Sequence, residues 1–163
     1  MFLLFFILAG LFLQSPDRFE VTAATGNMEP TIKIGDTLHT DENYYQEHPI
    51  QRFDIVLTLS PHDLKDTLNP PSKSTRYVMR VIGLGGETIE IRSHKVFING
   101  KKLQEPFRTV PAEDDFGPLT IPENEYFLMG DNRASTLDSR YWRPATAKKS
   151  QVLGRVVKIT RGI

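Results

Sequence analysis

The chain has 163 residues, enough for one domain with a substantial core. Its 20 Lys+Arg balance 20 Asp+Glu. That neutrality excludes a general nucleic-acid binder, which needs a basic excess against phosphate, and a charge-driven disordered tail. With no cysteine, the chain has no disulfide, no thiolate nucleophile and no Cys-ligated metal cluster.

Residues 1–13 (MFLLFFILAGLFL) carry no charge. As a helix they would reach about 20 Å, short of the ~30 Å bilayer core. Three readings compete: a signal-peptide core with small residues Val21-Thr22-Ala23 behind it, part of a membrane anchor, or a buried helix. The missing basic n-region counts against the first. Four phenylalanines beside a polar remainder count against the third. Residues 1–16 are therefore expected to be an apolar membrane-anchor remnant, and residues 17–163 a single β domain. Arg18, with Asp17 and Glu20 beside it, gives only a weak orientation signal.

The remainder reads as β structure. Residues 41–47 suggest at most one turn of helix. Residues 52–59 (RFDIVLTL) alternate Phe53, Ile55, Leu57 and Leu59 on one face. Strands are also expected at 77–82, 87–91, 95–98, 125–129 and 152–159, with 87–91 and 95–98 forming a hairpin. Asn99-Gly100 marks a turn, because both residues tolerate positive φ. Residues 60–75 and 101–123 are rich in proline and charge and read as loops inserted into the β core. Gly83-Leu84-Gly85-Gly86 lacks the Lys-Ser/Thr ending of a phosphate loop and reads as a turn between strands.

His39, His48, His62 and His94 are scattered without metal-ligand spacing, and no His-Glu-x-x-His pattern occurs. Two clusters stand out. One is Gly26-Asn27-Met28-Glu29-Pro30-Thr31. The other, residues 130–140 (GDNRASTLDSR), packs two Asp, two Arg, an Asn and three hydroxyls into eleven residues. It reads either as a solvated loop with local hydrogen bonds or as a buried network in which Asp138 and Arg140 pair beneath a site.

These boxes resemble the bacterial type I signal peptidases, membrane-anchored serine proteases that remove signal peptides from exported proteins. Asn27-Met28-Glu29-Pro30-Thr31 stands where that family has Ser-Met-x-Pro-Thr. Arg52-Phe53-Asp54-Ile55-Val56 is similar to its Arg-Gly-Asp-hydrophobic stretch. Residues 77–87, with Arg80 and Gly83, resemble Tyr-x-Lys-Arg-Val-x-Gly-x-Pro-Gly-Asp, with Gly85 at the proline and Glu87 at the acid. Ile98-Asn99-Gly100, Glu105-Pro106-Phe107, Phe116-Gly117-Pro118 and Ile121-Pro122 follow in family order. Gly130-Asp131-Asn132-Arg133 and Asp138-Ser139-Arg140 complete the match. The resemblance implies a mostly β, signal-peptidase-like fold with loop insertions and a short N-terminal apolar helix.

The departures decide the expected chemistry. In the family a Ser hydroxyl attacks the scissile carbonyl and a neutral buried Lys takes its proton. Here Asn27 holds the nucleophile position and Met79 the general-base position. An amide does not replace a hydroxyl, and a thioether accepts no proton near neutral pH. Arg80, next door, is always protonated. The resemblance assigns an oxyanion hole to Thr25 and the Asn27 backbone, and a supporting network to Thr136, Asp138, Arg140, Asp131, Asn132 and Arg133. Met28, Pro30, Thr31, Arg80 and Gly83 are motif scaffold. No cofactor or metal is implied. The expected protein is a silent homologue at the cell membrane with its domain on the extracytoplasmic side. Its expected partners are membrane lipid and either signal peptides of exported preproteins or an active paralogous peptidase; nucleic acid is not among them. Two alternatives are an active peptidase using Thr25, Thr31 or Ser139, and a soluble β-rich binding module.

Overall fold

The computed structural model describes residues 18–59 and 76–162. The expected anchor and the loop at 60–75 lie outside the described residues. In chain order the strands are β1 (Arg18–Thr22), β2 (Thr37–Asp41), β3 (Ile55–Leu59), β4 (Arg76–Gly83), β5 (Thr88–Arg92), β6 (Lys95–Ile98), β7 (Lys101–Lys102), β8 (Phe116–Thr120), β9 (Glu125–Met129), β10 (Ala147–Lys148) and β11 (Val152–Thr160). One α-helical turn, α1 (Tyr44–Glu47), and short 3₁₀ turns at Gly26–Met28 and Lys149–Gln151 complete the set. Seven strands form one sheet in the order β1-β2-β11-β3-β4-β9-β10, and four form a second in the order β7-β6-β5-β8. Every strand pairing is antiparallel.

The fold class is mostly β, as expected, and the strands at 95–98 and 125–129 have the expected bounds. Ser93 (φ 47°) and His94 (φ 63°) make the tight turn that pairs Arg92 with Lys95. Asn99 (φ 50°) and Gly100 (φ 76°) repeat it between β6 and β7. Both positions in each turn lie at positive φ, the twist a two-residue hairpin loop demands.

Three expectations need correction. The segment 101–123 is not all loop: it holds β7 and β8. Pro118 is tolerated there because β8 is the edge of its sheet and meets β5 across a register shift. The strand expected from Arg52 starts only at Ile55, because Phe53 sits at φ 75° in a turn. That is a strained angle for a bulky side chain, at the position where the family motif has glycine. Within β3 the one-faced alternation also fails, since Val56, Leu57 and Thr58 are all buried. Both faces are covered: Val56 joins a cluster with Met79, Val81, Leu128 and Trp142, while Ile55 packs toward Met28, Ile32 and Leu38. The single helical turn expected within 41–47 forms at Tyr44–Glu47. Asp41 ends β2, and His48 takes extended backbone (φ −125°, ψ 143°) before Pro49, as pre-proline sterics require.

A further cluster, with Ile82, Ile89, Ile91, Val96, Phe127 and Met129, packs the second sheet on the first. β4 belongs to the first sheet and carries Met79 and Ile82 into different clusters, so it ties the site to both halves of the core.

Candidate functional site

After β1 the chain bonds back to the β2 side through Ala23 N to Asp36 O (2.9 Å), then turns through Gly26–Met28. Met28 is buried beside Ile32 and Leu38, which pins that turn against the sheet. Asn27 is thereby presented to β4. Its Nδ2 donates to Val78 O at 2.6 Å and lies 4.0 Å from Met79 Sδ. Its Oδ1 accepts from Thr25 Oγ1 at 2.8 Å. Its backbone carbonyl accepts from Asn132 N (3.1 Å), and Thr136 Oγ1 lies 2.9 Å from it. The single Thr136 proton is shared with Asn132 O at 2.5 Å. Asn132 Nδ2 also donates to Gly26 O at 3.1 Å.

The network reading of residues 130–140 holds, and the solvated-loop reading does not. Asp131, Arg133, Thr136, Asp138, Ser139 and Arg140 are all buried. Arg140 grips Asp138 with two bonds, Nε to Oδ1 at 2.9 Å and Nη2 to Oδ2 at 3.0 Å. Burial pulls the Arg140 guanidinium down, but its bond to Asp138 and the charge there outweigh it and hold the group above its ordinary value. Asp138 Oδ2 accepts from Gly130 N at 3.3 Å, and Ser139 Oγ accepts from Leu128 N at 2.9 Å. Arg80 holds Asp131 in the same forked way, Nε to Oδ1 at 2.8 Å and Nη2 to Oδ2 at 2.6 Å, while its Nη1 donates to Phe53 O at 3.0 Å. Planar forks of this kind fix orientation as well as charge. Thr31 Oγ1 donates to Asp131 Oδ2.

A pocket of about 220 Å³ opens at this junction. Residues 25–27 form one wall, Tyr77 and Met79 a second, and residues 135–137 the third. Met79 itself is fully buried in the Trp142 cluster. Burial pushes the Tyr77 phenol above its ordinary value, so it is neutral at physiological pH. No histidine lines the pocket. Among the described residues no group of His, Asp or Glu could hold a metal ion. The pocket thus offers hydroxyls, an amide and an apolar floor.

A family model described as "Signal peptidase, peptidase S26" matches residues 1–160. The chain belongs to the signal peptidase family. It is 35% identical over 124 residues to signal peptidase I P of Bacillus subtilis subsp. natto, covering 70% of this chain and 61% of the relative. It is 32% identical over 131 residues to signal peptidase I of Leptolyngbya laminosa, covering 80% of this chain and 63% of the relative. The chain therefore spans less than two thirds of the length of these relatives. A solved structure, a signal peptidase I from Enterococcus faecalis V583, superposes with a TM-score of 0.53 at 31% identity. That match covers 68% of this chain and 98% of the solved one.

In this signal peptidase homologue the residues singled out in the sequence converge unevenly. Thr25, Asn27, Met79 and Thr136 meet at the pocket, while Asp138, Arg140, Arg80 and Asp131 lie behind it. Thr31 is tied to Asp131, away from the pocket lining. Pro30 is exposed, and Gly83 packs at the far end of β4 near Ile121. Sequence reasoning missed Tyr77, Ser135 and Leu137 in the walls. It also missed the strap at residues 105–114, where Glu105 pairs with Arg133 (2.5 Å), Phe107 stacks on Arg80 (3.9 Å) and Asp114 meets Arg140 (3.5 Å). The proline-rich composition that made this strap look like a loop hid its role as a clamp. Among the described residues no helix is long and apolar enough to cross a membrane.

Proposed function

We propose that this protein is a catalytically silent signal peptidase homologue, tethered to the membrane with its β domain on the extracytoplasmic side. Its partners are membrane lipid and either the signal peptides of exported preproteins or an active paralogous peptidase. The observation that carries the reading is the contact between Asn27 Nδ2 and Met79 Sδ at 4.0 Å. The two positions that resemble the family's nucleophile and base are neighbours, yet neither side chain can attack a carbonyl or take a proton. The surround remains: a pocket, a hydroxyl at Thr25, and a buried network that holds the Asn27 carbonyl.

The other hydroxyls are poor substitutes. Thr25 donates to Asn27 Oδ1, and Ser139 is fully buried and bonded to Leu128 N. Thr31 does not line the pocket, and it donates to an Asp131 carboxylate that Arg80 already grips with two bonds. The paired loss has a physical logic: a buried Lys without its Ser carries a desolvation penalty with no return, and Met fills the same space without one.

The test is cleavage of a signal-peptide-bearing precursor in detergent or lipid by three proteins: the chain as it stands, Asn27→Ser, and Asn27→Ser with Met79→Lys. Cleavage by the double variant alone supports a silent protein with an intact groove. Comparable cleavage by the unaltered chain would show that other groups carry the reaction.

A further inference from the structure

Phe53 holds φ 75°, an angle that a bulky side chain seldom adopts. Such a residue persists only where its surroundings fix it more than once. Here both of its backbone polar groups are pinned to β4: Phe53 N donates to Val81 O at 2.7 Å, and Phe53 O accepts from Arg80 Nη1 at 3.0 Å. The ring so placed meets Phe107 edge-on, with centroids 5.4 Å apart and planes at 72°. Phe107 in turn covers the Arg80 guanidinium, 3.9 Å from its ring centroid.

Phe107 belongs to the 105–114 strap. The flanks of that strap are tied to the β5–β6 hairpin, through Leu103 N to Val96 O (2.8 Å), His94 Nδ1 to Ala112 O (2.5 Å) and Ser93 N to Asp115 Oδ1 (2.9 Å). Its middle meets the site instead. Val110 N donates to Asp131 O at 2.9 Å, and Val110 O accepts from Arg133 N at 2.8 Å. Backbone groups alternate in direction along an extended segment, so Asn132 faces the opposite way and donates its N–H to Asn27 O at 3.1 Å. The strap and the 26–28 turn thus hold opposite sides of one short segment.

We propose that Phe53 is a strained latch for the strap: its ring holds Phe107 over Arg80, and the closed strap braces residues 131–133 against the Asn27 turn. The latch goes beyond the silent-homologue reading and does not depend on it. Two opposed effects meet at Phe53. The left-handed angle raises the energy of the folded chain, while the aromatic contact lowers the energy of the closed strap. The backbone of Phe53 stays pinned to β4 when the strap lifts, so the strain weighs on the whole fold and the ring on the strap alone. Glycine takes φ 75° freely and alanine does not, yet both lack the ring. Phe53→Gly and Phe53→Ala therefore loosen the strap alike while differing in overall stability. A residue that only filled the core would move strap and sheet together.

The test is residue-resolved amide hydrogen exchange with thermal melting, on the unaltered chain, Phe53→Gly, Phe53→Ala, Phe107→Ala and Phe53→Gly with Phe107→Ala. The Val110 and Arg133 amides report the strap, the Asn132 amide reports the brace on Asn27, and the β3–β4 ladder reports global opening. All three reporter amides are expected to exchange roughly three- to tenfold faster in both Phe53 variants, the equivalent of one lost aromatic pair. The ladder is expected to exchange faster in Phe53→Ala than in Phe53→Gly, which should melt about 2–4 °C higher than the alanine variant. In the Phe107→Ala background Phe53→Gly should change strap exchange by less than about twofold, because the partner ring is already gone. Unchanged exchange at Val110, Arg133 and Asn132 overturns the latch. So does strap exchange that follows the ladder from variant to variant, or a Phe53→Gly effect that persists in full without Phe107. Equal melting of the glycine and alanine variants would remove the strain from the proposal and overturn it as stated.

Discussion

Introducing a lysine at position 79 alone should damage the fold, and by an amount that depends on pH. Met79 is fully buried among Val56, Val81, Leu128 and Trp142, with a thioether as its only polar neighbour-seeking atom. In Met79→Lys the new ammonium meets one amide, that of Asn27, which offers it a donor already committed to Val78 O. Burial of this kind lowers a Lys pKa by about 3 units from its ordinary ~10.4. At 1.36 kcal/mol per unit, the penalty is about 4 kcal/mol at pH 6, a large part of the ~5–15 kcal/mol that holds a domain together. The folded pKa is depressed, so between about pH 7 and pH 10 the unfolded state binds more protons. Stability relative to the parent therefore rises with pH in that window, by up to about 1.4 kcal/mol per unit. Adding Asn27→Ser gives the amine a hydroxyl partner and restores about 1 kcal/mol. Urea denaturation of the three proteins at pH 6, 8 and 9.5 measures all of this. A Met79→Lys protein within about 1 kcal/mol of the parent at pH 6 (an order-of-magnitude threshold set by a single hydrogen bond), with no pH slope, would refute this desolvation argument.

Two further outcomes follow from the same geometry. A Cβ at residue 130 would collide with Thr136 Oγ1 and the Asn27 carbonyl, so Gly130→Ala should push the 26–28 turn off the network and lower the Tm by about 3–10 °C; an unchanged melt would mean the turn is not held there. The Tyr45 hydroxyl donates to Asp54 Oδ2 at 3.0 Å, and burial first, then the Asp54 charge, push its pKa up. Above pH ~10 the unfolded phenol ionises while the folded one keeps its proton, so stability falls with rising pH. Tyr45→Phe should cost about 1 kcal/mol at neutral pH yet flatten that alkaline decline, and an identical decline in the variant would place its origin elsewhere.

Much of this protein is legible in its sequence because the signals are local. Short runs of β-branched and apolar residues located β5, β6, β9 and most of β11, and Asn99-Gly100 located a turn whose positive φ angles only such residues accept freely. The boxes that carry the family likeness are equally local. Other features depend on partners distant in the chain. β1 and β2 are short and polar and become strands by pairing with each other and with β11. β8 contains glycine and proline and becomes a strand because β5 supplies an edge for it. Residues 130–140 read equally well as loop or network until β4, the 26–28 turn and the 105–114 strap closed around them. The Val78 carbonyl has no sequence signature at all, since every residue but its context carries the same group. Side-chain type and short-range backbone preference are written residue by residue; burial, edge exposure and the meeting of Asn27 with Val78 arise only when strands far apart in the chain are brought into register.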